Sequence, residues 1–275
     1  MAIKKKPRLT ENKLPSYKKP PVNEVAIGFV AANLEEFKIP HIGLLWDRYR
    51  KQYPLIEHAA PLATREGILV DSVTGLPLPR VWFKDDSETR ILQFQSNAFY
   101  FNWRSRKEDH AYPSYETIAK EFRSNLTVFA AFLAEFKLGT LQPLECELTY
   151  INHIPKGQGW NTFGDLPNVL SDCCWLSKDG RFLSNPDKIG WQARFSLPGD
   201  NGFLRVKLSD ATRKADGLPI LVLELSARGL GEKKSLDHIW DWYPIAHEWI
   251  VRGFADITTL EVQNKQWERD DAARS

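Results

Sequence analysis

Apolar and polar residues alternate most cleanly over three adjacent short runs, RVWFKD (80–85), RILQFQ (90–95) and AFYFNWR (98–104). A period of two marks a strand with one face turned inward. A turn at Ser96-Asn97 would pair Gln95 with Ala98, Phe94 with Phe99, Gln93 with Tyr100 and Leu92 with Phe101. Cross-strand partners share a face. Leu92, Phe94, Phe99, Phe101 and Trp103 then form a core face, and Gln93, Gln95, Tyr100, Asn102 and Arg104 a polar one.

The same reading extends in both directions. Residues 23–31 (NEVAIGFVA) predict a strand, and 41–53 an amphipathic helix with Ile42, Leu45, Trp46 and Tyr49 on one stripe, stopped by Pro54. Residues 54–79 are rich in Pro and Gly, with a short strand at 68–70. A helix from Ser114 to Phe136 carries Ile118, Phe122, Leu126, Phe129 and Leu133, with Ser114 as N-cap and Gly139 closing it. The order then repeats: a strand at 143–154, a short helix at 160–172, and strands at 191–197, 202–209 and 219–228. A last helix runs from a Ser235 cap to about Ile257, with Pro244 expected to kink or divide it.

Each half reads strand, helix, three strands, helix, which predicts an α+β fold. Residues 1–20 are expected to be a disordered basic leader, 21–140 and 141–260 the two halves, and 261–275 a frayed tail. This order resembles the duplicated antiparallel curved-sheet folds typified by the TATA-binding protein, or a helix-grip arrangement. The resemblance implies helices on one sheet face and an open second face, and it carries no function with it.

Chemistry enters through that second face. In the second half the alternation groups Gln192 and Arg194, Arg205 and Lys207, and Glu224, Ser226 and Arg228, with Glu145, Glu147 and Thr149 alongside. The candidate binding residues are therefore Gln93, Gln95, Tyr100, Asn102, Arg104, Gln192, Arg194, Arg205, Lys207 and Arg228. The plainer alternative is an ordinary solvated sheet face. For Arg104 the choice lies between anion recognition and an internal ion pair. The Gly229–Ser235 stretch has a glycine three residues before Lys234 and lacks phosphate-loop spacing. Six histidines show no HExxH spacing, and no GxSxG or GxGxxG motif occurs, so no metal, cofactor or catalytic residue is predicted.

Composition narrows the class. Hydrophobic residues make up 43% of 275, enough for a large core. Residues 1–19 hold seven Lys or Arg against Glu11, a net of +6 in a chain of net +2, so the body carries −4. Such a run suits nucleic acid or an acidic partner, and equally a solvated leader. Three cysteines, Cys146, Cys173 and Cys174, are a poor disulfide framework and point to a reducing compartment. No long apolar run and no secretory h-region occurs, so the cytoplasm is expected.

Several short motifs together resemble a sporadically distributed family of uncharacterised bacterial proteins of about this length. They are Pro20-Pro21-Val22-Asn23-Glu24-Val25, Gln93-Phe94-Gln95, Asn102-Trp103-Arg104, Tyr112-Pro113-Ser114-Tyr115, Tyr150-Ile151-Asn152, and Ala246-His247 with Phe254. The resemblance covers residues 18–268 and brings no assigned activity. The family's scattered occurrence implies mobile genes, such as defence or toxin-linked modules. The leading expectation is a non-enzymatic binding or accessory protein. It would hold a protein partner or small ligand on the polar face or in grooves where the halves meet. The alternatives are a nucleic-acid-binding accessory protein using the basic leader, and an enzyme with a scattered site around Asn152, His153 and His247.

Overall fold

Strand β1 (Val22–Ala31) is bordered on both sides, and what borders it organises the molecule. The computed structural model describes residues 13–270 except 65–66, 69, 71–74, 77–78, 107–110, 174–180, 184–185 and 232–234. After β1 come helix α1 (Ile39–Tyr49), strand β2 (Leu55–Ala59) and a two-stranded hairpin of β3 (Ala63–Thr64) with β4 (Gly67–Ile68). The expected meander follows as β5 (Arg80–Lys84), β6 (Arg90–Gln95) and β7 (Ala98–Arg104). Its register is the one the alternation predicts, from Gln95↔Ala98 to Leu92↔Phe101. Helix α2 (Tyr115–Glu135) completes the first half.

The second half opens with β8 (Pro143–Pro155) and continues through β9 (Gly190–Ser196), β10 (Phe203–Thr212) and β11 (Pro219–Gly229) to helix α3 (Ile239–Ile257). All the long strands join one curved antiparallel sheet of nine, ordered β2-β5-β6-β7-β1-β8-β11-β10-β9. Exchanging β1 with β8, β7 with β11, β6 with β10 and β5 with β9 leaves that order unchanged apart from the extra edge strand β2. The repeat of element order is thus a pseudo-twofold, and its axis falls between β1 and β8, where Val25 faces Tyr150 and Ile27 faces Leu148.

Helices cover one face, with α2 lying on β7 and β1, and α3 on β11, β8 and β10. Between them and the sheet lies one continuous core. It includes Val25, Ile27, Phe29, Phe94, Phe99, Phe101, Phe122 and Phe129, and across the seam Leu148, Leu223, Leu225, Trp242, Tyr243 and Ile250. Tyr243 donates a hydrogen bond from α3 to the Gly28 carbonyl of β1 at 2.7 Å, tying second-half helix to first-half strand.

Some expectations are corrected. Residues 160–172 hold only a 3-10 turn at Phe163–Asn168, where Pro167 opposes longer helix and Asp165 takes the Asn161 and Thr162 backbone N–H groups. Helix α3 starts at Ile239 and runs through Pro244 undivided, because one missing N–H is outweighed by the buried stripe Tyr243, Ala246, Ile250 and Phe254. Residues 261–270 are not frayed. Helix α4 (Leu260–Lys265) is capped by Thr259, Trp267 is 1% exposed, and the backbone of 267–270 pairs with residues 16–19. The end of the expected leader is therefore folded, while residues 1–12 lie outside the described part.

Candidate functional site

The ten candidate residues do share the sheet face opposite the helices. Cross-strand pairing sets Gln93, Tyr100, Gly28, Glu147 and Arg228 in one row. Asn102, Ala26, Thr149, Ser226, Arg205 and Arg194 form the next. Glu24, Ile151, Glu224, Lys207 and Gln192 form a third, which begins at Arg104.

This face is not open along its whole length, which corrects the expectation. Gln93, Gln95, Tyr100 and Asn102 are buried. Residues 60–62 cross over them: the Leu62 backbone N–H donates to Gln95 Oε1 at 2.8 Å, and Arg80 donates to the Ala60 carbonyl at 3.2 Å. Under this cover Arg80 donates to Gln93, Gln93 Nε2 to Asn102 Oδ1 at 2.6 Å, and Asn102 Nδ2 to Glu24 Oε1 at 2.6 Å. Buried amides are tolerated because each has a partner. Alternation could show only that these residues avoid the core, and a distant Pro- and Gly-rich segment decides whether water reaches them.

The remaining candidates are engaged or exposed. Arg104 is the ion-pair partner, 3.1 Å from Glu88, which also takes Lys84 and Arg106. Arg228 pairs with Glu147 at 2.8 Å and Arg205 with Glu224 at 2.9 Å. Arg194 lies over the Phe203 ring, while Gln192 and Lys207 are exposed. Residues 232–234, and with them Lys234, lie outside the described residues. Gly229 and its neighbour Gly231 have a packing reason: a Cβ on either would strike Asn201 within 2.6 Å. Cys146 and Cys173 are buried, and burial pushes the Cys146 thiol up to about 12, while Cys174 lies outside the described residues.

The concave chemistry is on the other face, at one end of the seam. A pocket of about 870 Å³ opens between the N-terminal turn of α2 and helix α3, floored by Tyr150 and Asn152 of β8. Residues 14–22 and 266–267, the paired ends of the chain, wall it. Its size suits a small molecule.

Four aromatic side chains shape the interior. Tyr115 and the His247 imidazole stack face to face, centroids 3.8 Å apart and 7° from parallel, with Tyr150 on their flank at 6.2 Å. Tyr112 and Tyr150 share a hydroxyl–hydroxyl hydrogen bond of 2.8 Å. Whichever donates, the other keeps a proton for a further acceptor. Burial raises the pKa of Tyr112, Tyr115 and Tyr150, so all remain protonated near neutrality. Burial lowers His247 to about 4 against the opposing pull of Glu116, so the imidazole is neutral. It makes no hydrogen bond to any described residue. Trp267, also in the wall, has a buried indole N–H with no partner among the described residues.

Asn152, His153 and His247, the scattered trio, do meet at this pocket, with His153 held below its usual pKa by burial and by Arg213. The tyrosines were not singled out as site residues, although two of the motifs behind the family resemblance, Tyr112-Pro113-Ser114-Tyr115 and Tyr150-Ile151-Asn152, contain all three. Among the described residues no group of His, Cys, Asp or Glu is arranged to hold a metal.

No family model matches the chain, and no curated protein matches it. A crystal structure of a protein in the dynemicin biosynthetic locus is similar at 12% identity, over 85% of this chain and 98% of the other, with a TM-score of 0.25.

Proposed function

We propose that this chain is a binding protein that holds a small, largely apolar, planar ligand in the pocket at the seam of its two halves. The observation that carries this reading is the pocket's interior. A neutral imidazole with unused nitrogens is stacked on one tyrosine beside a hydroxyl pair with a proton to spare, in a space the size of a small ligand. A few convergent polar groups in an apolar concavity are the usual make-up of such sites.

The same groups favour binding over acid–base chemistry. A histidine near 4 is a weak base at neutral pH, and tyrosines raised by burial are weak acids. The sheet face expected to bind is in the first half already occupied by the protein's own chain.

The test is a fluorescence titration with N-phenyl-1-naphthylamine, a neutral aromatic reporter. Saturable binding at one site is expected, with Kd of about 1–10 μM for a ligand of that size. Val251→Trp, which fills the pocket from α3, should abolish it while circular dichroism and melting stay native. Undiminished binding by the folded Val251→Trp protein, or no saturable binding by the wild type, would overturn the proposal.

A further inference from the structure

We infer that the pocket's ligand is an aromatic anion, its ring system inside and its negative group at the mouth. The inference rests on the binding role above and adds the ligand's charge and orientation.

The lining is graded. Deep positions are apolar or aromatic and buried: Tyr150, Leu225, Ile250, Phe254 and Trp267. Lys18, Lys19 and Lys156 line the pocket too, and all three are exposed, which places them at the rim. Lys19 is neutralised by Glu268 at 2.6 Å. Arg213, also in the lining, is neutralised by Asp216. Lys18 and Lys156 form no salt bridge among the described residues, although Glu268 also lies within electrostatic reach of Lys18, and Glu116 is the sole carboxylate among the described lining residues. Lys18 also belongs to the basic run of residues 1–19, whose folded end forms this wall. The described end of that run thus brings Lys18 to the mouth of an aromatic concavity.

Each region selects for part of the ligand. The stacked Tyr115–His247 pair and the flanking Tyr150 offer flat walls to a ring system. A neutral His247 and protonated tyrosines give that end donors and acceptors without charge, so a buried ionised group would meet no counter-charge there. At the rim, two ammonium groups in contact with water can receive a carboxylate, sulfonate or phosphate without full desolvation. The ligand therefore enters rings first.

The experiment compares two probes sharing one aromatic body, the anionic 8-anilinonaphthalene-1-sulfonate and the neutral N-phenyl-1-naphthylamine, on the full-length protein at low ionic strength. The sulfonate should bind at least about tenfold more tightly, the effect of two modest lysine–anion contacts. The advantage should shrink in 0.5 M NaCl, and in the Lys18→Ala/Lys156→Ala protein the affinity ratio should fall towards one. Equal affinities in the wild type, or an advantage that survives in the double variant, would overturn the anion inference and leave the binding role standing. Failure of both probes would overturn both. Sulfonate binding that persists in Val251→Trp would show that the anion sits elsewhere and would overturn the inference as well.

Discussion

At the scale of single residues, His247 links the pocket to pH. Burial holds its folded pKa at about 4, while the unfolded chain titrates near the free value of about 6.5. Between these values the unfolded chain takes up a proton that the folded chain refuses. The contribution is therefore complete above about pH 6.5, is lost as pH falls towards 4, and changes no further below that. Its size follows from the shift, about 3 kcal/mol. Urea unfolding of the wild type and His247→Phe at pH 7.5, 5.5 and 4 isolates it, because carboxylate effects cancel in the difference. The wild type should lose more stability than the variant on acidification, and a constant difference would refute the linkage. Gly28 is a second residue-scale case. A Cβ there would lie 2.4 Å from the Tyr100 ring and 2.5 Å from the Phe99 carbonyl, because Tyr100 crosses Gly28 towards Glu147, one strand further on. Gly28→Ala must push backbone or ring aside and is expected to cost about 2–3 kcal/mol in urea unfolding, as overpacking does.

At the scale of elements, the start of α2 matters most, since it carries Tyr115 into the pocket. Ser114 accepts the Thr117 N–H at 3.3 Å as an N-cap, yet its backbone sits at φ 96°, ψ 156°, a region nearly reserved for glycine. Cap and strain oppose each other, so two substitutions separate them. Ser114→Ala loses the cap and keeps the strain, and is expected to lose about 1 kcal/mol. Ser114→Gly gives up only a few tenths of the cap and releases the strain, and is expected to gain about 1 kcal/mol in the same denaturation assay. Elements with their own period were legible in the sequence. The Phe94, Phe99 and Phe101 alternation fixes the meander down to its register, and the Ile118-Phe122-Leu126-Phe129 stripe fixes α2. What depends on distant chain was not legible. Nothing local to Gln93 or Asn102 reveals that residues 60–62 cover them. Nothing near Trp267 reveals that it packs on Tyr17 and Phe254. The pocket is the extreme case, since its tyrosines come from α2, β8 and the turn between β7 and α2, and no spacing in the sequence joins them.

At the scale of the whole molecule, the two halves are related by order and yet are not separate folding units. Each contributes one of the two central strands, so cutting the chain between them would expose both edges of the seam, β1 in one fragment and β8 in the other, together with Ile27, Leu148 and Tyr150. The Tyr243–Gly28 bond and the pairing of residues 16–19 with 267–270 would also be lost. A half with a long unpaired apolar edge and half a core is a poor domain. Residues 1–141 and 142–275 expressed apart should therefore be unfolded or aggregated, and should regain native circular dichroism only when refolded together. The intact chain should unfold in a single transition, with calorimetric and van't Hoff enthalpies equal. Two resolved transitions, or one half folding alone, would show the seam to be an interface between domains. Because the pocket straddles that seam, the same cooperativity governs how a ligand acts on stability. A ligand contacting α2, β8 and α3 together binds only the joined state, so it should raise the one melting temperature without splitting the transition, by an amount that grows with the logarithm of its concentration above Kd.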